Sequence, residues 1–362
     1  MSLTLEQVSR QAGREIHIHP TRLTLEAGSL NVLLGPTLSG KTSLMRLMAG
    51  LDQPSSGRIL WNGQDVTGKP VQERNVAMVY QQFINYPSLS VFDNIASPLR
   101  IRGLKTADIQ QRVKAAADLL KLTPLLQRKP LELSGGQQQR CALARALVKE
   151  ADLVLLDEPL ANLDYKLREE LREELPRIFT ASGAVFVYAT TEPTEALLLG
   201  GNTATLWQGR ITQFAPTLEV YRQPRDIVTA RVFSDPPMNF LSVTKVGNQL
   251  LFGEGQSIPA NGRLGELADA GYTAAFRPNH LRLQAPSNYA LSFTATVTVV
   301  EITGSESFVH LQQGNERWVA LVHGIHDLAS GTDITVYVDP AQVYVFGTDG
   351  NLVAAPEPAM AA

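Results

Sequence analysis

The sequence predicts an α/β core over residues 1–235 with a helical subdomain at about 85–150, then a mostly β domain over 236–350 and a flexible tail over 351–362. Three observations predict it. The runs LVLL at 153–156 and AVFVYAT at 184–190 are continuous, apolar and β-rich, as strands buried on both faces of a parallel sheet should be. At 31–34 the run NVLL stops at a glycine-rich turn, and KTSLMRLMAGL then carries apolar residues at helical spacing, which gives strand, loop and helix in succession. Past residue 235, SFTATVTVV, ERWVALV, TDITVYV and QVYVF are short strand-like segments separated by glycine, asparagine and aspartate turns.

Between the first helix and the LVLL strand, apolar positions keep helical spacing from about Val91 to Lys149, with IQQRVKAAADLLKL the clearest stretch and Pro124 and Pro130 as punctuation. The last residues, NLVAAPEPAMAA, have two prolines and no periodicity, which predicts a frayed end. A chain of 362 residues is long enough for two or three domains, each with its own core. With 35 acidic and 32 basic residues, net −3, it lacks the basic surplus that neutralises phosphates along a nucleic acid, so no nucleic-acid partner is expected. One cysteine, Cys141, cannot close an intrachain disulfide, and MSLTLEQVSRQAGREI lacks the basic-then-apolar order of an export signal; a reducing cytoplasmic setting is expected. No run approaches the roughly 18 apolar residues that cross a bilayer, so a membrane role must go through a partner.

Three motifs carry chemistry. GPTLSGKT at 35–42 fits G-x-x-x-x-G-K-[ST] and sits where that pattern requires, after a strand and opening a helix. Glycines let backbone N–H groups converge on phosphate oxygens, the helix start adds positive potential, Lys41 supplies a cation, and the Thr42 hydroxyl can ligate magnesium. The candidate contacts are Gly35, Pro36, Thr37, Leu38, Ser39, Gly40, Lys41, Thr42 and Ser43. In LVLLDEP, Asp157 and Glu158 leave the end of a buried strand, where α/β sheets place their chemistry. Asp157 would hold the magnesium and Glu158 would polarise the attacking water, whereas without the phosphate loop such a pair could be only a capping turn. LSGGQQQR at 133–140 is a second anion-binding helix start, although alone it would read as a flexible turn and a cap.

With these three motifs in this order and spacing, the chain resembles the ATPase subunits of ATP-binding-cassette (ABC) transporters. The likeness extends to VYQQFINYPSLSVFDNI, where Gln81 matches the family's Q-loop glutamine, and to PLANLD, where Asp164 matches its D-loop aspartate. It implies the P-loop ABC ATPase fold, with ATP and magnesium as cofactors and Thr42, Gln81 and Asp157 around the metal. It also implies head-to-tail pairing, so that Ser134, Gly135, Gly136 and Gln137 serve a partner's nucleotide. Gln81, with Phe83, Tyr86 and Leu89, would lie beside the groove that receives a membrane subunit. SDPPMNFL, FRPNHLRL and VEITGSESFVHLQ resemble the oligonucleotide-binding-like (TOBE-type) domain of maltose-type importer ATPases. The partners implied are a second ABC ATPase, two membrane-spanning permease subunits and, indirectly, a periplasmic solute-binding protein; the place implied is the cytoplasmic face of the inner membrane.

Two departures stand out. In YATTEPTEAL, Thr191 occupies the position of the family's switch histidine and Glu192 that of the usual aspartate; no histidine occurs between His19 and His280. A threonine hydroxyl is shorter and uncharged, and losing one transition-state donor costs on the order of 10²–10³ in rate. The stretch RQAGREIHIHP, where the family stacks adenine on an aromatic ring, has no Phe, Tyr or Trp; His17 or His19 could stack, or be plain strand-face residues. Leu38 also replaces a usual glycine. NVLLGPTLSGKTSLMRLMAGLD, NVAMVYQQFINYP and FVYATTEPTEALLLGGNTATLWQGR are closely similar to one of the paired ATPases of bacterial glycerol importers. That likeness implies a heteromeric pair, a slow own site with Glu158, Gln81 and Thr191 at its catalytic positions, and glycerol or a related polyol as cargo. Glycerol 3-phosphate or a sugar is the alternative cargo, and an ATP-binding regulatory or scaffold protein the alternative class.

Overall fold

The computed structural model describes residues 1–356 except Asn162, Glu254 and Asn288; residues 357–362 of the expected tail lie outside the described residues. The chain divides into two compact units, Met1–Thr217 and Leu218–Ala362.

The first unit runs β1 (Ser2–Ala12), β2 (Glu15–Glu26), β3 (Leu30–Leu34), α1 (Lys41–Ala49), β4 (Ser56–Trp61), β5 (Gln64–Asp65), β6 (Val76–Val79), α2 (Val91–Ile101), α3 (Thr106–Leu119), α4 (Gly135–Val148), β7 (Leu153–Asp157), α5 (Tyr165–Ser182), β8 (Val185–Thr190), α6 (Pro193–Leu199), β9 (Asn202–Trp207) and β10 (Arg210–Pro216). A six-stranded sheet has the order β10-β9-β3-β8-β7-β6, parallel except where β10 pairs with β9. Every residue of β3, β7 and β8 is buried, because a sheet covered on both faces leaves no strand position facing water. A smaller antiparallel sheet, β2-β1-β4-β5, packs its apolar residues against α1 and the parallel sheet: Leu3, Leu5, Leu23 and Leu25 share one core with Leu44, Met45, Leu155 and Val187. Helices α2, α3 and α4 form the expected helical subdomain, and the Ser90 hydroxyl starts α2 by accepting from the Asp93 N–H at 3.0 Å.

The second unit holds α7 (Thr217–Arg222, whose first residue belongs to the first unit), α8 (Ile227–Val232), β11 (Asn239–Val246), β12 (Gln249–Gly253), β13 (Gln256–Pro259), β14 (Gly271–Phe276), β15 (Leu281–Arg282), β16 (Leu291–Ile302), β17 (Glu306–Gln313), β18 (Glu316–His323), β19 (Asp333–Val338), β20 (Tyr344–Phe346) and β21 (Leu352–Ala354). Its two sheets, β13-β12-β11-β14-β20-β21 and β15-β19-β16-β17-β18, enclose a core centred on Trp318. That ring meets Phe276 and Phe293 edge-on at 5.0 and 5.3 Å, while its indole N–H donates to the Phe240 carbonyl at 2.9 Å.

Two expectations about boundaries differ from the structure. The core was expected to run to residue 235, but the division falls at Thr217 and Leu218. Residues 218–235 are fastened to the β unit by polar contacts that leave no periodic trace in sequence: the Arg277 guanidinium lies 3.6 Å from the Tyr221 ring centroid and donates to the Phe233 carbonyl at 3.0 Å. The tail was expected to fray from residue 351, yet Leu352–Ala354 is a strand on β20, and the Leu352 N–H donates to the Arg225 carbonyl at 2.9 Å. Three apolar residues that complete an open sheet edge are too few to show alternation.

Candidate functional site

The phosphate loop leaves β3 at the middle of the parallel sheet and enters α1. Gly35 passes so close to the next strand that a Cβ there would lie 2.4 Å from the Leu206 carbonyl, and Gly40 takes φ +106° as it opens the helix, so neither position admits a side chain. Leu38 holds φ +66° with 95% of its surface exposed. A left-handed leucine costs about 1–2 kcal/mol. The Lys41 ammonium is buried and donates to the carbonyls of Gly35 at 2.7 Å and Pro36 at 3.0 Å. Burial lowers its pKa, and Glu158 and Asp157 oppose that shift.

Asp157 ends β7 at 2% exposure, and its carboxylate accepts from the Thr42 hydroxyl at 2.7 Å. Burial raises its pKa, against the Thr42 hydrogen bond and the Lys41 charge. Glu158 follows with φ +47°. Its carboxylate accepts from the Gln81 amide at 2.9 Å and stands 3.9 Å from the Lys41 ammonium. Burial raises its pKa too; Lys41 lowers it, Asp157 raises it and the Gln81 hydrogen bond lowers it. Lys41, Thr42, Gln81 and Glu158 border a cleft of about 980 Å³ that is lined also by Thr37, Leu38, Gly40 and Ser43 and by Glu15, Ile16, His17, Gln208 and Gly209. Of the two histidines considered for adenine, His17 lines the cleft; the His19 backbone N–H is tied to the Gly209 carbonyl at 2.9 Å. The turn at Gln208 and Gly209 is a wall that the sequence reading missed, its only signal being the WQGR hairpin turn.

Ser134, Gly135, Gly136, Gln137, Asp164 and Thr191 are not among the residues that line that cleft, although the Thr190 carbonyl, one residue before Thr191, accepts from the Gly35 N–H of the phosphate loop at 3.3 Å. Ser134 caps α4 in a reciprocal box: its hydroxyl accepts from the Gln137 N–H at 3.4 Å while the Gln137 side chain accepts from the Ser134 N–H at 3.0 Å. A Cβ at Gly135 would sit 3.7 Å from Phe83, which therefore packs at the start of this helix. Asp164 caps α5, accepting from the Leu167 N–H at 3.0 Å. Thr191 is exposed just past β8. The loop around it is held from below, since the Thr190 hydroxyl donates to the buried Glu195 carboxylate at 2.6 Å and Arg172 pairs with both Glu195 at 3.0 Å and Glu192 at 3.1 Å. Glu192, which follows Thr191 in sequence, is thus already engaged, with Arg168 also 3.6 Å away. Among the described residues no three His, Cys, Asp or Glu side chains gather as a metal cluster.

A family model described as ABC transporter matches residues 18–161, and one described as TOBE domain matches residues 274–346. The sn-glycerol-3-phosphate import ATP-binding protein UgpC of Yersinia enterocolitica is 35% identical over 91% of this chain and 92% of its own length. The chain belongs to the ABC transporter ATP-binding subunits. The trehalose/maltose import ATP-binding protein MalK of Thermococcus litoralis is 36% identical over 94% of this ABC subunit and 96% of that protein. The dimeric post-hydrolysis structure of the ATP-binding cassette MJ0796 bound to ADP and Pi superposes with a TM-score of 0.54 at 25% identity, covering 59% of this chain and 98% of that one. As an ABC ATPase the protein binds ATP, couples its hydrolysis to transport and works with membrane permease subunits. No helix among its described residues is long and apolar enough to cross a membrane.

Proposed function

We propose that this subunit is one of two non-identical ATPases of a bacterial ABC importer, peripheral at the cytoplasmic face of the inner membrane, and that it drives uptake of glycerol or a related polyol while its own nucleotide site turns over slowly. The observation that carries the pairing is the combination at one site: Lys41, Thr42, Gln81, Asp157 and Glu158 converge, while threonine stands at position 191. Such a site keeps the parts that bind ATP and lacks one donor to the transition state.

The Thr42 hydroxyl and the Asp157 carboxylate, 2.7 Å apart, with Gln81 beside them, are the oxygen donors that suit magnesium, which when bound would neutralise charge on the phosphates. The loop N–H groups and Lys41 would hold the phosphate oxygens. Glu158, steadied by Gln81, would take the proton of the attacking water. Ser134, Gly135 and Gly136, at the positive end of α4, would face the partner's nucleotide, with Gln137 fixing the cap and Asp164 at the start of α5 beside the same junction. A cleft of about 310 Å³ lined by Tyr86, Pro98, Ile101 and Arg145, with the guanidinium 4.9 Å from the Tyr86 ring centroid, supports docking of a permease segment. Tyr86 and Ile101 are 47% and 86% exposed there. Of Phe83, Tyr86 and Leu89, Tyr86 is the one that lines this cleft.

Because Glu158 must be ionised to accept a proton and burial raises its pKa, the acid limb of hydrolysis at this site should lie above the ordinary glutamate range. A kcat profile against pH checks this, and a limb at the ordinary value would contradict it. The relatives named for glycerol 3-phosphate and for trehalose and maltose favour a second reading of the cargo. Uptake of labelled solutes by cells lacking this chain separates them: loss of glycerol uptake alone is expected, whereas loss of glycerol 3-phosphate or sugar uptake would transfer the assignment. Extraction of the tagged chain should bring a second ATPase and two permease subunits with it.

A further inference from the structure

Glu158 holds a backbone conformation that a glutamate adopts only under constraint, with φ +47°. Two contacts fix its peptide groups from different elements. Its N–H donates to the Ala189 carbonyl in β8 at 3.0 Å, and its carbonyl accepts from the Gln139 side-chain amide in α4 at 3.1 Å. The Ala161 N–H reaches the same carbonyl at 3.3 Å from within the loop. Gln139 is 1% exposed, and its amide oxygen is buried without a hydrogen-bond partner among the described residues. Packing alone would be served better by Leu or Met, which bury no orphaned acceptor; the amide is kept at this depth at the cost of that unmade bond. The bond its amide N–H makes goes to the residue whose carboxylate meets Gln81 and Lys41.

We propose that Gln139 is a positioning residue for Glu158. It holds the Glu158 peptide in the strained conformation that aims the carboxylate into the cleft. It does so from α4, the helix capped by Ser134. A tilt of α4 when Ser134 engages the partner's nucleotide would therefore be felt at the carboxylate of this chain's own site. The inference rests on the reading of Glu158 as the base and of Ser134 as partner-facing.

The test is single-turnover ATP hydrolysis by the assembled transporter with the partner ATPase's catalytic glutamate replaced, so that only this chain's site reports. Gln139→Met, which keeps the volume and removes the donor, should lower the rate constant at least tenfold with ATP affinity unchanged. Gln139→Leu, which also removes the donor, should do the same should the methionine variant misfold. Added to Glu158→Gln, neither change should slow the site further, because both act through one carboxylate. A rate equal to wild type, or a loss that adds in full to that of Glu158→Gln, would overturn the positioning role. Wild-type protein with no single-turnover hydrolysis would overturn it as well, there being no base to aim. Should Glu158→Gln itself leave the rate unchanged, the reading of Glu158 fails, a result distinct from failure of Gln139 alone.

Discussion

Ser134→Arg is expected to abolish ATP hydrolysis by the assembled transporter while leaving ATP binding at this chain's own phosphate loop intact. The serine hydroxyl caps α4 and stands with Gly135 and Gly136 at the positive end of that helix, outside the chain's own cleft. Removing the cap costs about 1 kcal/mol, which a helix packed on its buried face withstands. The arginine would instead occupy the space where the partner's phosphates must sit, and loss of even one such donor lowers rates on the order of 10²–10³. ATPase assays of the transporter, with labelled-ATP binding to the isolated variant as control, read the two effects separately. A transporter that keeps most of its rate would show that the subunits do not pair head to tail.

Lys41→Ala should weaken MgATP binding to this chain's own site. The ammonium is 5% exposed and satisfied by the carbonyls of Gly35 and Pro36, so the alanine variant loses the cation and leaves two loop carbonyls without their donor. A charge-assisted hydrogen bond contributes roughly 1.5–3 kcal/mol, which corresponds to a loss of about ten- to a hundredfold in affinity. Titration of the isolated variant with labelled MgATP measures it. Undiminished affinity would mean that the loop at 35–42 is not where the nucleotide phosphates bind.

What was legible in the sequence follows from how each element is buried. Strands β3, β7 and β8 are apolar throughout because both faces are covered, and the phosphate loop is a fixed pattern of residue types at the end of one of them. The antiparallel sheet at the start of the chain was not anticipated. In β1 the pairing register shifts between Leu5 and Val8 and again before Arg10 and Gln11, so apolar alternation breaks where a reader would count it. Spacing could not separate His17 from His19, since residues two apart share a strand face; that His17 lines the cleft depends on the turn at Gln208 and Gly209, far along the chain, which lines it too. Gln139 was hidden for a similar reason. Three consecutive glutamines in LSGGQQQR point around α4 at intervals of about 100°, and only the packing of that helix shows that the third faces Glu158.

Slow turnover at this chain's own site is read by ATP hydrolysis of the assembled transporter after removal of the partner's catalytic glutamate, compared between Thr191 and Thr191→His. Position 191 lies exposed past β8, on a loop held through Thr190, Glu192, Glu195 and Arg172, so a histidine can be introduced there without disturbing the network beneath. Threonine should give a low residual rate and histidine a rise of at least about tenfold, the lower side of what one transition-state donor contributes. A transporter that hydrolyses ATP at full rate with Thr191 in place and its partner silenced would contradict slow turnover there.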